Sequence, residues 1–281
     1  MRKFLLLAPL FLLAGCRYSS DNLFYYGNSA ANRAQELKVL SENEFSPGMD
    51  GKFTAVVFSD RHTGSPKAEP PDEEFFSWLG GLRDSGELPA FCVSLGDSTD
   101  HGFSAEEDSY AEFMERVESE FGIKVLNAVG NHDLYNSGWD SWRTHCFPGT
   151  SFYKFVTGNG SGKVSWYVLD TGTGMLGRRQ LDRFSAAARN DPNPKIVLTH
   201  YPLVTGTFLF GQQDTTERNT LISLFSECGV ILYVGGHLHI YEETDLGTYT
   251  AFSIPSYMYG RKWALVAVSG NRAELEIISA D

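Results

Sequence analysis

The sequence predicts an α/β domain, from about residue 51 to 281, in which two mixed β-sheets pack together with helices outside. Three observations predict it. Between Lys52 and Gly235 short apolar runs alternate with helical patterns, the rhythm of βαβ units. The runs Phe53–Ser59, Phe91–Leu95, Lys124–Val129, Lys195–Thr199 and Val230–Val234 are almost continuously apolar, as in parallel strands covered on both faces. After His239 the segments alternate polar and apolar residues and are joined by short Gly turns, which marks antiparallel strands.

At 281 residues, 42% apolar and 14% aromatic, the chain can bury a proper core, which excludes global disorder. The net charge of −12 argues against a protein that coats nucleic acid, so no extended nucleic-acid surface is expected. It does not exclude a phosphate ester at a metal site, where the ions are the largest local charges.

In chain order, Arg2 and Lys3 precede the apolar run Phe4–Ala14, which is too short for a bilayer that needs about 20 residues. The run closes on Leu13-Ala14-Gly15-Cys16, which resembles a bacterial lipobox. That resemblance implies a signal peptide over residues 1–15 and a lipid on Cys16. The protein would then be exported and membrane-anchored, periplasmic or at the cell surface. Residues 16–50 read as the lipidated N-terminus and a linker, with a short helix over Ala30–Leu40 and a turn at Pro47-Gly48. Of the remaining cysteines, Cys92 falls in an apolar strand, while pairing of Cys146 with Cys228 stays open.

A helix follows Pro71, with Asp72, Glu73 and Glu74 in its first turn and Phe75, Phe76, Leu79 and Leu82 on one face. The helix Ala105–Phe121 begins with Ser104 and Glu107 as a capping box. Tyr135 to Thr150 reads as long and irregular. Phe152–Phe155 and Val164–Asp170 form a hairpin, and Leu181–Ala188 is helical. Asp214 and Glu217 cap a helix over Thr215–Cys228 that stops at Gly229. The last strands are Ile240–Thr244, Tyr249–Ser253, Leu265–Ser269 and Ala273–Ile278, with turns at Leu246-Gly247 and Gly270-Asn271.

Five of the apolar runs end in Asp, Asn or His. In an open parallel sheet those ends share the edge where α/β folds bind ligands. Five of the seven histidines lie in these clusters, and a buried, unpaired set of such groups would be penalised. The clusters are Asp60-Arg61-His62, Gly96-Asp97-Ser98-Thr99-Asp100, Gly130-Asn131-His132-Asp133, His200 and Gly236-His237-Leu238-His239. In this order they resemble the motifs of the calcineurin-like metallophosphoesterases, over roughly residues 53 to 240.

The resemblance implies a four-layer metallophosphoesterase-like fold and two divalent ions. One would be held by Asp60, His62, Asp97 and His239, the other by Asp97, Asn131, His200 and His237. The carboxylate, imidazole and amide donors suit Mn, Fe, Zn or Co. Such a pair can clamp an in-line displacement at phosphorus, with a bridging hydroxide attacking. His132, next to Asn131, is the expected general acid for the leaving alkoxide, and Asp100 the residue that orients and charges it. His101 stands where the serine/threonine phosphatase branch carries a phosphate-binding Arg. It is read either as a substrate contact or as a loop residue facing water. The second motif has no Tyr where purple acid phosphatases bind ferric iron, which disfavours that subclass.

Other polar residues receive blander roles. Asp133 caps the loop, Arg61 is as well suited to solvent as to the site, and His145 is structural or on the surface. Arg143, Tyr201 and Tyr257 are packing residues before they are substrate contacts. The function expected is an exported, lipid-anchored phosphoesterase acting on phosphate mono- or diesters, with a phosphorylated small molecule or other phosphoester as substrate. The alternatives are a cyclic-nucleotide-type phosphodiesterase and a catalytically silent surface-binding lipoprotein on the same fold.

Overall fold

The computed structural model describes residues 30–47, 51–67, 69–206, 211–212 and 214–280. The expected signal peptide and Cys16 lie outside them. Among the described residues no helix is long and apolar enough to cross a membrane.

Helix α1 (Ala30–Arg33) and strand β1 (Lys38–Val39) open the chain. A βαβαβ stretch follows: β2 (Lys52–Phe58), α2 (Asp72–Ser85), β3 (Cys92–Ser94), α3 (Ser104–Phe121) and β4 (Val125–Asn127). A 3-10 segment at His132–Ser137 and helix α4 (Trp139–His145) lead to the hairpin β5 (Tyr153–Thr157) and β6 (Val164–Val168). Then come α5 (Arg178–Arg189), β7 (Lys195–Leu198), α6 (Thr215–Glu227) and β8 (Val230–Gly235). Strands β9 (Glu242–Asp245), β10 (Thr250–Ser253), β11 (Lys262–Ser269) and β12 (Arg272–Ser279) close the fold.

The strands form two mixed sheets. One runs β12-β11-β2-β3-β4, with β2, β3 and β4 parallel and β11 antiparallel to β2. The other runs β1-β5-β6-β7-β8-β10-β9, with β6, β7, β8 and β10 parallel. Strand β2 shows why its sequence is apolar throughout. Ala55 and Val57 join a core between the sheets with Trp166, Val168 and Leu198. Val56 and Phe58 join an outer core with Phe75, Phe113 and Trp263. A third core packs α5 and α6 on the far sheet through Tyr167, Phe184, Leu221 and Tyr233. Alternate side chains of one strand thus feed two dry layers, the helix-sheet-sheet-helix order expected. Each fully buried large side chain in these layers stabilises by roughly 1.5–3 kcal/mol. The wall they form holds the strand ends still.

Several local expectations are corrected. Residues 30–47 are packed, not a free linker, so the folded body begins well before residue 51. Lys38 and Val39 pair with Tyr153 and Lys154, and Leu40 is buried in the core between the sheets. The helix over Ala30–Leu40 stops at Arg33, whose guanidinium makes a buried two-pronged pair with Asp170 at 2.8 and 3.0 Å. Helix α3 starts one residue early. Glu106, not Glu107, reaches back to the Phe103 and His101 amides, and Glu107 points into the core. The stretch after Tyr135 is largely helical. Cys146 and Cys228 are both free thiols, which removes the disulfide option.

Candidate metal centre

Motifs on two different sheets meet at one edge. Asp60 and His62 follow β2, Asp97 and Asp100 follow β3, and Asn131 and His132 follow β4. His200 follows β7, and His237 and His239 follow β8. The loops are drawn tightly together. A Cβ on Gly130 would overlap the Asp97 amide, and one on Gly96, at φ +104°, would overlap the Gly130 backbone. Asp133 locks this contact from below. Its buried carboxylate accepts the amides of Asp97, Gly130 and Thr99 and the Thr99 hydroxyl, at 2.8 to 3.2 Å. Burial, and then the charge of Asp97, push that carboxyl up to about 6. The loop-capping role read for Asp133 is therefore a brace under the whole centre.

The backbone is strained where the donors sit. Asp60, His62, Asp97, His237 and His239 all have left-handed φ between 46° and 68°. They are five of the eight non-Gly residues with positive φ among those described. Each such position costs on the order of 1–3 kcal/mol and persists only where the surroundings over-determine it.

Three donor groups result: Asp60 with His62 and His239, Asp97 with His200 and His237, and His62 with Asp97 and His132. Their hydrogen bonds fix which ring atoms are bare. His200 gives Nδ1–H to the Leu95 carbonyl at 3.1 Å, which leaves Nε2 for a metal or for a second proton. That nitrogen lies 3.0 Å from Asn131 Oδ1, 3.2 Å from His237 Nδ1 and 3.3 Å from Asp97 Oδ2. His62 gives Nδ1–H to the Asp100 carboxylate at 3.1 Å, and its Nε2 faces His239 Nε2 at 3.2 Å. Asp60 Oδ1 is buried and lies 3.2 Å from His239 Nε2.

Lone pairs directed at one another repel unless a cation lies among them. With protein groups alone the centre still demands positive charge. Burial would lower the His200 imidazole, yet Asp97 outweighs it and pushes it up to about 9. Burial would likewise raise Asp97, yet the charges of His200 and His132 hold it well below the usual carboxylate range. The donor set therefore fits divalent ions.

His132 sits at the mouth, partly exposed. Its amide donates to Asp97 Oδ1 at 2.8 Å and its Nδ1 lies 2.7 Å from the Asp100 carbonyl. Here the expectation for Asp100 is corrected. Its carboxylate, 3.8 Å from His132 Nδ1, is bonded to His62 instead, so Asp100 orients His132 through its backbone and His62 through its side chain. His101 is held by Glu106 at 3.0 Å, with Asp100 at 3.5 Å, and stacks on Phe103. Two carboxylates beside that ring work against an anionic phosphate there, which favours the loop-residue reading. Arg61 is neither in solvent nor in the site; it is buried over Phe113 and paired with Asp72 at 2.6 Å. His145 pairs with Asp108, and Arg143 with Asp140, both away from the centre. Tyr257 is buried and donates to Asp72. Tyr201 does touch the site, stacking on His237 with centroids 3.9 Å apart.

Two tyrosines escaped the sequence reading. Tyr135 lies 4.7 Å from the His132 ring, and its hydroxyl accepts from Asn131 Nδ2 at 3.3 Å. That turns Asn131 Oδ1 toward His200. Tyr259 lies 5.4 Å from both His62 and His239. Spacing after Asn131 offered a weak signal for Tyr135. Nothing local to residue 259 signals its place, which depends on the β10–β11 connection folding back over Asp60.

Comparison with curated proteins gives no match. Solved structures share the fold. A dimetal phosphatase from Danio rerio superposes with a TM-score of 0.64 at 11% identity, covering 83% of this chain and 98% of that one. A purple acid phosphatase from yellow lupin gives 0.64 at 13% identity over 84% of this chain and 52% of its own. An anchor protein of the Plasmodium inner membrane complex gives 0.65 at 13% identity, covering 83% and 86%. Residues 53–241 match the family model described as calcineurin-like phosphoesterase, and the chain belongs to that family.

Proposed function

We propose that this protein hydrolyses phosphate esters at a two-metal centre. Asp60, His62, Asp97 and His239 would hold one ion, and Asp97, Asn131, His200 and His237 the other. The observation that carries this reading is that His200 Nε2 lies within 3.3 Å of Asn131 Oδ1, His237 Nδ1 and Asp97 Oδ2, beside strained ligand backbones. When bound, two divalent ions would polarise the phosphoryl oxygens and supply a nucleophile from water at neutral pH. Asp60 and Asp97 give the centre only two formal negative charges, which leaves it net positive toward a phosphate.

The chain's own residues do the rest. Asp97 spans both ligand groups and sets their separation. His132 has Nδ1–H committed to the Asp100 carbonyl, so it would act as the imidazolium, giving the second proton, on Nε2, to the departing oxygen. Asp100 and Leu95 hold the His62 and His200 rings in the tautomers that leave Nε2 bare. We also infer export and lipid anchoring, from Arg2, Lys3, the apolar run Phe4–Ala14 and Leu13-Ala14-Gly15-Cys16.

The Plasmodium anchor has the same fold, so a silent binding protein is the competing outcome of the test. Purified protein, loaded in turn with Mn, Zn, Fe and Co, is assayed on a panel of monoesters and diesters. Turnover that disappears in Asp97→Asn together with both metals supports the two-metal reading. Full metal content with no turnover on any ester would move the protein to the binding class.

A further inference from the structure

Five aromatic rings cluster at the mouth of the centre. Tyr135, His132 and His62 follow one another with centroids 4.7 and 4.6 Å apart, and His62, Tyr259 and His239 close a triangle at 5.4, 5.4 and 5.2 Å. Four of these rings are bound into the ligand and acid machinery already described. Tyr259 is not. It is 39% exposed, one of five exposed large hydrophobic residues among those described. Val39 lies apart on β1, and three of the others follow motif loops in sequence. Phe103 follows the second ligand loop, and Ile240 and Tyr241 follow His239 directly.

The Tyr259 ring is held in place at both ends. Its amide donates to Ser256 Oγ at 3.0 Å, and its hydroxyl is 2.9 Å from Ser65 Oγ. Ser256 in turn donates to the Asp60 carbonyl at 2.9 Å, which ties this loop to a metal ligand. A ring fixed this way presents a flat apolar face at little entropic cost on binding. The surroundings are not built for a second anion. Arg61 and Arg261, the arginines on the neighbouring loops, are engaged by Asp72 and Glu74, while Glu106 borders the His101 side.

We infer that Tyr259 is a specificity-determining residue, a shelf on which a planar aromatic leaving group stacks as His132 protonates its oxygen. His62 lies between the two, so a leaving group attached near His132 reaches Tyr259 across a single ring. The preferred substrate class is a phosphoester with one phosphate and an aromatic ring one or a few bonds from the ester oxygen. This rests on the phosphoester-hydrolase reading above.

The test uses pairs matched in leaving-group chemistry: benzyl phosphate against ethyl phosphate, and adenosine 5′-phosphate against ribose 5-phosphate. The first pair asks for any ring, the second for a nucleobase. Benzylphosphonate and ethylphosphonate, which are not hydrolysed, are titrated by calorimetry on metal-loaded protein. The ring-bearing member should show the lower KM and tighter binding. Tyr259→Ala should raise the benzyl phosphate KM about tenfold, as for loss of one stacking contact, and leave ethyl phosphate within about twofold. Tyr259→Phe, which keeps the ring and loses the Ser65 bond, should retain the preference. Equal binding of benzylphosphonate and ethylphosphonate by the unaltered protein would overturn the shelf. So would an equal loss in Tyr259→Phe and Tyr259→Ala, which assigns the effect to the hydroxyl. Absence of turnover on every ester would sink the hydrolase reading, and the phosphonate titrations would still decide the shelf.

Discussion

Replacing Glu107 by Gln should stabilise the protein, and the gain should grow with pH. Glu107 lies on α3 with its carboxyl fully buried. One oxygen has no hydrogen-bond partner and the other is 3.8 Å from the Cys146 thiol. Burial first, and the charge of Asp133 second, push it from the ordinary 4.5 up to about 9. The folded protein therefore keeps a proton that the unfolded chain releases above 4.5. Stability from this group is complete below that value and is lost as pH rises through about 9. Gln is neutral throughout and loses nothing. Each pH unit in the window is worth ~1.4 kcal/mol for a fully displaced proton. From pH 6 to 8 the Gln variant should gain about 2 kcal/mol on the parent, after allowance for the coupling to Asp133. Urea unfolding of metal-loaded protein at pH 6, 7 and 8 measures this, with the m-value unchanged. A gap of the same size at all three pH values would refute the reasoning, because it would mean Glu107 is ionised in the fold.

His132→Ala should lower turnover by roughly 100-fold with metal content nearly intact, and the loss should shrink for nitrophenyl esters, whose leaving group needs less protonation. Equal loss on good and poor leaving groups would count against the acid role. Arg33→Ala leaves Asp170 without its buried cation, a change that costs about 3–5 kcal/mol, so thermal unfolding should shift down by several degrees. An unshifted midpoint would return residues 30–47 to the status of a linker. Cys16→Ser should move the protein from the membrane fraction to the soluble fraction, and retention on the membrane would mean that something other than a lipid holds it.

The parts of the molecule legible in the sequence are those where one physical demand dominates. Strand β2 had to be apolar on both faces, and Phe53–Ser59 shows it directly. The ligand loops announce themselves because Asp, Asn and His at the end of an apolar run are hard to explain otherwise. What could not be read depends on distant partners. Arg33 looks like a tether residue until Asp170, 137 positions later, closes on it. The motif pattern pairs the Asp100 carboxylate with His132. The loop instead turns the carbonyl to His132 and the side chain to His62. Glu107 reads as a cap because Ser104 precedes it by three. The helix starts one residue earlier, which moves the cap to Glu106 and Glu107 into the core. Tyr259 carries no signal of its own. Its position follows from amides 257 and 258 bonding to the carbonyls of Ser59 and Asp60.

The most direct test of the two-metal centre is anomalous scattering from crystals grown with Mn or Zn, with data on both sides of the metal edge. Two peaks are expected, one among Asp60, His62 and His239 and one among Asn131, His200 and His237, both within ligand distance of the Asp97 carboxylate. A single peak, or none at saturating metal, would contradict the assignment of Asp97 as the bridge.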